Sequence, residues 1–302
     1  MILESKGLIF KAKKNVRFIK SHAWVPTPLK INNEVFRVFY AGRDKSNQSS
    51  IYCFDYNFLK KAVTKFSKKP VLKKGRLGCF DDCAAIPSHA ILINKKIFLY
   101  YIGWTRGVSV PYISSLGLAI SIKNNNFKRL SEAPIIGRSK NDPIFTASCF
   151  VEKTGKKFKM IYTSNKSWNF NKFFIPNYNL KYAFSKDGRE WNTTPNFIIL
   201  NKSKKEIAIT RPWLITINNK KVLFYSYKNY SNKGRNYKIG YALKKNKKWV
   251  RKDNITFKKS KDKFDNQMQE YGALIKYKKK IFMFYNGNNY GEEGVGLAEL
   301  KY

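Results

Sequence analysis

The chain is poor in histidine and acid. Two histidines in 302 residues, with four cysteines scattered at Cys53, Cys79, Cys83 and Cys149 and no CxxC pair, offer no ligand set of the kind that builds a zinc site. No metal and no other cofactor is therefore expected, and the cysteines read as reduced thiols. No apolar run approaches the ~18 residues that a membrane-spanning helix needs. The opening MILESKGLIFKAKKN carries Glu4 and Lys6 in its apolar part and has no small-residue cleavage site. It is a poor signal peptide, and a cytoplasmic chain is expected. Acids number 19 against 60 Lys and Arg, a formal net charge of +41. Lys dominates Arg and gathers at turns (Lys95-Lys96, Lys156-Lys157, Lys220-Lys221, Lys278–Lys280), as A/T-biased coding and a solvated face would produce. Arg-Gly arms and a basic tail are missing. The charge implies weak attraction to anionic surfaces and no specific nucleic-acid partner.

What the chain does have is repetition. An apolar run, a few polar or basic residues and a second run ending in an aromatic pair or Ile-Tyr occur five times. The copies are PLKINNEVFRVFY (Pro28–Tyr40), HAILINKKIFLYY (His89–Tyr101), CFVEKTGKKFKMIY (Cys149–Tyr162), WLITINNKKVLFY (Trp213–Tyr225) and ALIKYKKKIFMFY (Ala273–Tyr285). Alternating, β-branched runs joined by Asn-Asn, Asn-Lys or Thr-Gly read as β-hairpins. A third apolar strand follows each: SIYCF, LGLAIS, LKYAFS, IGYAL and VGLAEL. A self-similar unit of roughly 50–65 residues with three or four strands predicts a propeller blade. The fold class expected is all-β, a single five-bladed β-propeller spanning residues 1–302. Its blades cover about 15–66, 80–136, 141–200, 207–258 and 265–302. The last blade has only three strands of its own, so the N-terminal strand Gly7–Ala12 is expected to join it and close the ring.

In a propeller the first strand of each blade lines the central channel, and residues entering those strands converge at one mouth. Aligning the repeats places Thr27, Pro87, Ala147, Arg211 and Tyr271 together. Just upstream stand His22, Asp81, Asp82, Asp142 and Glu270, and at the ends of the second strands stand Arg43, Asp44, Trp104, Asn165, Lys228, Asn286 and Asn288. Glu270 beside Tyr271, aimed at the axis, is read as an acid–base group, because a carboxylate there is costly without a function or a partner. Asp82 and Asp142 read either as further site carboxylates or as caps and turn formers. Arg43 and Arg211 stand out where Lys is the default cation; they suit bidentate contact with carboxylate or phosphate, or internal ion pairs. His22 suits proton transfer or hydrogen bonding, while Trp104 could stack on a sugar or pack between blades.

The segments SHAWVPTP, FYAGRD, FDDCAAIPS, YYIGW, SKDGREW, RPW, QEYGAL and YNGNNYG resemble the five-bladed propeller superfamily of glycoside hydrolases and phosphorylases, which includes arabinanases, invertase-like enzymes and mannoside phosphorylases. More closely they resemble a branch found with surface-polysaccharide genes. The resemblance implies a carbohydrate-active enzyme that cleaves or transfers a glycosyl unit with a carboxylate pair. It points to Glu270, Asp82 and Asp142 as the catalytic set. His22, Arg43, Asp44, Trp104, Arg211, Tyr271, Asn286 and Asn288 would bind a carbohydrate or nucleotide-sugar, which could be anionic. The superfamily's usual Asp at the first blade is here replaced by His22-Ala23-Trp24-Val25-Pro26. That departure keeps two alternatives open: a glycan-binding propeller without catalysis, and a transferase or phosphorylase using a phosphate or nucleotide-sugar donor.

Overall fold

Short turns set the repeat. Asn94-Lys95, Asn218-Asn219 and Asn246-Lys247 each pair two residues of positive φ, between 45° and 65°. That is the geometry of two-residue hairpin turns whose twist matches that of the flanking strands, and asparagine adopts it at small cost. The lysines beside these turns are exposed, as a solvated rim requires.

The computed structural model describes residues 1–12, 16, 18–122, 126–171, 173–203, 205–230 and 236–302. Its strands in chain order are β1 (Ile2–Phe10), β2 (Ser21–Lys30), β3 (Val35–Arg43), β4 (Ser49–Asn57), β5 (Ala62–Phe66), β6 (Ala84–Ile93) and β7 (Lys96–Arg106). Then come β8 (Tyr112–Ser121), β9 (Phe127–Arg129), β10 (Thr146–Thr154), β11 (Lys157–Asn171), β12 (Phe173–Ser185), β13 (Asn192–Ile199) and β14 (Glu206–Ile217). The last are β15 (Lys220–Asn229), β16 (Tyr237–Lys245), β17 (Lys248–Arg251), β18 (Thr256–Lys258), β19 (Glu270–Tyr277), β20 (Lys280–Asn286) and β21 (Val295–Lys301). They form five antiparallel meanders: β2 to β5, β6 to β9, β10 to β13, β14 to β17, and β19–β20–β21 with β1 added. Single parallel bridges, Ser49 to Ala84 and Tyr178 to Ala208, join the first unit to the second and the third to the fourth. The architecture is the β-propeller that the repeat predicts.

The closing strand starts at Ile2 rather than Gly7. It runs antiparallel to β21, with Ile2 opposite Lys301, so it covers the outer edge of the last unit. Residues 256–258, expected in the fourth unit, instead pair with β1 as β18. The reason is local: β17 ends at Arg251, and the chain then crosses the seam to the outer edge of β1. The inner strands touch in circular order, β2 on β6, β6 on β10, β10 on β14, β14 on β19, and β19 on β2.

Polar stitches at the axis reinforce that ring. Ser88 Oγ lies between units two and three, donating to the Cys149 carbonyl and accepting from its N–H. Thr163 and Thr210 hydroxyls meet at 3.0 Å between units three and four. Tyr271 N–H donates to Ser226 Oγ between units four and five. Trp191 packs edge-on against Tyr100 across units two and three. Among the described residues no helix is long and apolar enough to cross a membrane.

Candidate functional site

Each inner strand departs from regular pairing at one height. The register slips between Trp24 and Thr27, Pro87 and His89, Ala147 and Cys149, Thr210 and Trp213, and Glu270 and Ala273. Every slip faces the same tyrosine of the second strand: Tyr40, Tyr101, Tyr162, Tyr225 or Tyr285. A bulge bends a strand and re-aims a side chain. At three of these bulges a residue with a side chain is forced into the left-handed region, Val25 (φ 55°), Arg211 (φ 54°) and Tyr271 (φ 53°). Such strain, of order 1–3 kcal/mol per residue, persists where the surroundings over-determine it. The repeat alignment placed Thr27 beside Arg211 and Tyr271. The register gives that place to Val25, because a surplus residue leaves no mark on a hydrophobic pattern.

Above the bulges lies an axial cavity lined by all five units. Its walls include Trp24, Trp104, Tyr112, Phe145, Tyr178, Tyr237 and Tyr271. Trp104 and Tyr112 stack at 4.7 Å with 11° between their planes, and Trp24 meets Trp104 edge-on at 5.6 Å. Tyr271 bridges Trp24 and Tyr237 at 6.4 and 5.7 Å. A second pocket lies at the seam of the first two units, sharing the walls Trp24, Trp104 and Tyr112 and adding Arg43 and Arg106. Flat rings around a cleft suit the apolar faces of sugars, and packing between units alone does not require an open cavity.

Glu270 begins β19 beside this cavity. It has no exposed surface, and among the described residues neither carboxyl oxygen meets a donor in full hydrogen-bond geometry, although the Tyr271 side chain lies close enough to favour its charged form. Burial pushes its carboxyl well above the ordinary value, only partly offset by Lys228. The Lys228 ammonium lies 4.6 Å from the Tyr237 ring, and the hydroxyls of Tyr237 and Tyr178 are bonded to each other. Burial thus favours the protonated form of Glu270, which stands among aromatic walls. Asp82, in the turn before β6, is the opposite case. Burial works upward there too, but the Gly78 N–H at 3.1 Å and neighbouring donors hold it below its usual value.

The structure places Trp104, Tyr271 and Arg43 on the walls, with Glu270 behind them. His22 sits at the margin, mostly buried, its Nδ1 2.7 Å from Ser21 Oγ and its ring edge-on to Trp24. Burial, then the Arg43 charge, pulls its pKa down to about 4, so it is neutral near pH 7.

Five expected site residues are engaged elsewhere. Asp142 is fully buried, accepts from the Tyr162 hydroxyl at 2.8 Å and pairs with Lys181 at 3.3 Å; it braces the third unit. Arg211 is no clamp for a ligand and no partner for Glu270. Its guanidinium is fully buried and donates to the Ser88 and Pro26 carbonyls and to Thr27 Oγ1 at 3.1 Å, tying the fourth unit to the first two. Burial pulls its pKa down to about 9. Asn286 closes the ring, accepting from Val25 N–H and donating to the Ala23 and Gly294 carbonyls, each at 2.8 Å. Asn288 is spent on loop backbone at Gln267, Met268 and Lys263. Asp44 holds its own loop through the N–H groups of Ser46 and Gln48. Asp44, Asn286 and Asn288 are short polar side chains near strand ends, and each meets backbone groups that the local turn or bulge leaves unpaired.

Tyr178 and Tyr237 were not singled out in the sequence. A signal existed: each stands two residues before the apolar run of a third strand, at Leu180 and Ile239.

No family model matches the chain. It is 28% identical over 305 residues to the uncharacterized protein Rv1502 of Mycobacterium tuberculosis (strain ATCC 25618 / H37Rv), covering 98% of both chains. The uncharacterized protein MT1551 of strain CDC 1551 / Oshkosh matches with the same identity and coverage. Among solved structures, a glycoside hydrolase superposes with a TM-score of 0.75 over 99% of this chain and 91% of its own, at 16% identity. The α-L-arabinofuranosidase of Lactobacillus brevis superposes with a TM-score of 0.70 at 10% identity, covering 97% and 95%. The identities are low and the superpositions span both chains, so what is shared is the framework: the fold of this chain is that of the five-bladed β-propeller glycoside hydrolases.

Proposed function

We propose that the whole chain works as one carbohydrate-active enzyme that cleaves or transfers a glycosyl unit at the axial cavity, with Glu270 as the proton donor. The observation that carries this reading is the Glu270 carboxyl, buried without a hydrogen-bond partner among the described residues and next in the chain to Tyr271 of the aromatic wall. A structural carboxyl in such a place would be expected to have partners, because an unpaired buried polar group costs about 1–3 kcal/mol. Two carboxyls whose surroundings push them apart divide acid and base roles between them. Glu270, held protonated, would pass its proton to the leaving glycosidic oxygen. Asp82, held ionised, would activate water or the acceptor hydroxyl and take up its proton. Trp104 and Tyr271 would bound the sugar.

The likeness of FYAGRD, FDDCAAIPS and QEYGAL to the surface-polysaccharide branch supports a role in that metabolism. A second reading, glycan binding without turnover, is favoured by the commitment of Asp142 to Lys181 and by His22 at the first unit's entrance. A screen of wild type and Glu270→Gln against glycosides, with and without phosphate and nucleotide-sugars, separates them. Loss of proton donation typically lowers turnover ~100- to 10,000-fold while binding persists. Binding without turnover by the wild type would establish the second reading.

A further inference from the structure

Four arginines among the described residues are held by acids. Arg37 holds Asp55 through two bonds, at 2.7 and 2.8 Å, and Arg76 holds Glu132 through two at 2.8 Å. Arg129 reaches Asp81 at 2.7 Å, and Arg251 reaches Glu206 through both terminal nitrogens. Arg43 is different. Among the described residues it has no carboxylate within ion-pair distance, and its one hydrogen bond, to Asn47 Oδ1, is long at 3.4 Å. The nearest acid in sequence, Asp44, is spent on backbone N–H groups.

Its surroundings hold it ready. Arg43 ends β3, half-buried, with the guanidinium carbon 4.7 Å from the centre of the Trp24 ring. Stacking on an indole fixes the plane of the fork and leaves its edge free to donate. Across the same pocket stands Arg106, at the end of β7, also without an ion pair among the described residues. Among the described residues no carboxylate lines this pocket, and Trp24 and Trp104 are walls of both it and the axial cavity. Burial lowers the Arg43 pKa, and the charges of Tyr271 and Glu292 offset this only in part.

We propose that the pocket between the first and second units is a subsite for an anionic substituent on the saccharide, a carboxylate or a phosphate, held by Arg43 with Arg106 opposite. This rests on the reading that the axial cavity takes a saccharide. A planar fork matches both kinds of anion through paired hydrogen bonds, and a neutral sugar would leave the Arg43 charge desolvated and uncompensated.

The test uses three disaccharides that differ only in the terminal residue: glucose, glucuronic acid or glucose 6-phosphate. Each is titrated calorimetrically into the full chain at about 150 mM salt, where diffuse charge attraction is largely screened. At least one charged probe should bind on the order of tenfold tighter than the neutral one, as expected for a charge-assisted bond. The arm that gains identifies carboxylate or phosphate. Arg43→Gln should abolish the gain, Arg43→Lys should restore only part of it, and the exposed control Lys95→Ala should leave it intact. Unfolding curves check that both Arg43 variants stay folded, and Arg106→Gln serves as the second variant if they do not. Equal affinity of charged and neutral probes, or none from any, overturns the proposal, as does a preference that survives Arg43→Gln and Arg106→Gln. Charge preference intact in Glu270→Gln, with no turnover by the wild type, would sink the enzymatic reading and leave the subsite standing.

Discussion

Asp142 accepts a hydrogen bond from the hydroxyl of Tyr162, 20 residues further along the chain. The same separation joins Asp81 to Tyr101 at 3.1 Å and Asp265 to Tyr285 at 2.5 Å. In each unit the tyrosine comes from the second strand and the aspartate from the segment leading into the first. Three acids of a chain with 19 are therefore used as internal braces rather than as chemistry at the mouth.

Asp142→Asn should destabilise the fold by about 3–5 kcal/mol, because it leaves the buried Lys181 ammonium without a counter-charge. Urea unfolding measures this. A variant as stable as wild type, with ligand turnover lost, would return Asp142 to the site.

Ring closure can be tested from both sides of the seam. Removing residues 1–12 should sharply lower the melting temperature, since it uncovers the edge of β21 and the core beneath Leu3 and Phe10. Asn286→Ala, which breaks three bonds to Val25, Ala23 and Gly294, should cost roughly 2–4 kcal/mol. Unchanged melting in either would mean that the closure carries no stability.

Glu270→Gln should raise stability at pH 7. The folded state keeps this carboxyl protonated while the unfolded chain ionises it above about 4.5, so the wild type loses stability as pH rises through that value. The gain from the amide should therefore shrink as pH falls toward 4.5 and vanish below it. Denaturant midpoints of the pair, compared across pH 4 to 8, would give a flat difference if Glu270 were ionised in the fold.

The histidines act in the opposite direction. His22 is pulled down to about 4 and His89 to about 3, both by burial first, with a smaller push from Arg43 and Arg211 respectively. The unfolded chain takes up these protons near 6.5, so their contribution is complete above that pH and drains away as pH falls through 6.5. His22→Gln should remove on the order of 2 kcal/mol of the acid sensitivity between pH 6.5 and 4. An unaltered acid limb would show His22 to be solvated.

The repeat was legible because hairpin turns and alternating strands are local, written within a few residues of each other. Gly7–Ala12 was recognisable as a closing strand, but its true span, from Ile2 to Phe10, depends on the partner β21 at the far end of the chain. Glu270, Trp104 and Tyr271 were found because they stand at strand ends that the repeat aligns. Arg211, Asn286 and Asp142 stand at the same ends, and their neighbours in space come from other units. Composition distinguished Arg from Lys, yet only coordinates separate Arg43, open to the pocket, from Arg211, sealed against two carbonyls.

The bulge shared by all five inner strands makes the centre of this molecule changeable without redrawing its periphery. One surplus residue per unit is absorbed where it occurs, so hairpin pairing resumes unaltered at Thr27, His89, Cys149, Trp213 and Ala273. Exchanging Val25, Ser88, Ser148, Arg211 or Tyr271 changes what meets at the axis and leaves the outer strands in register. A change of chemistry at the axis is thereby uncoupled from the pairing that holds the outer sheets together.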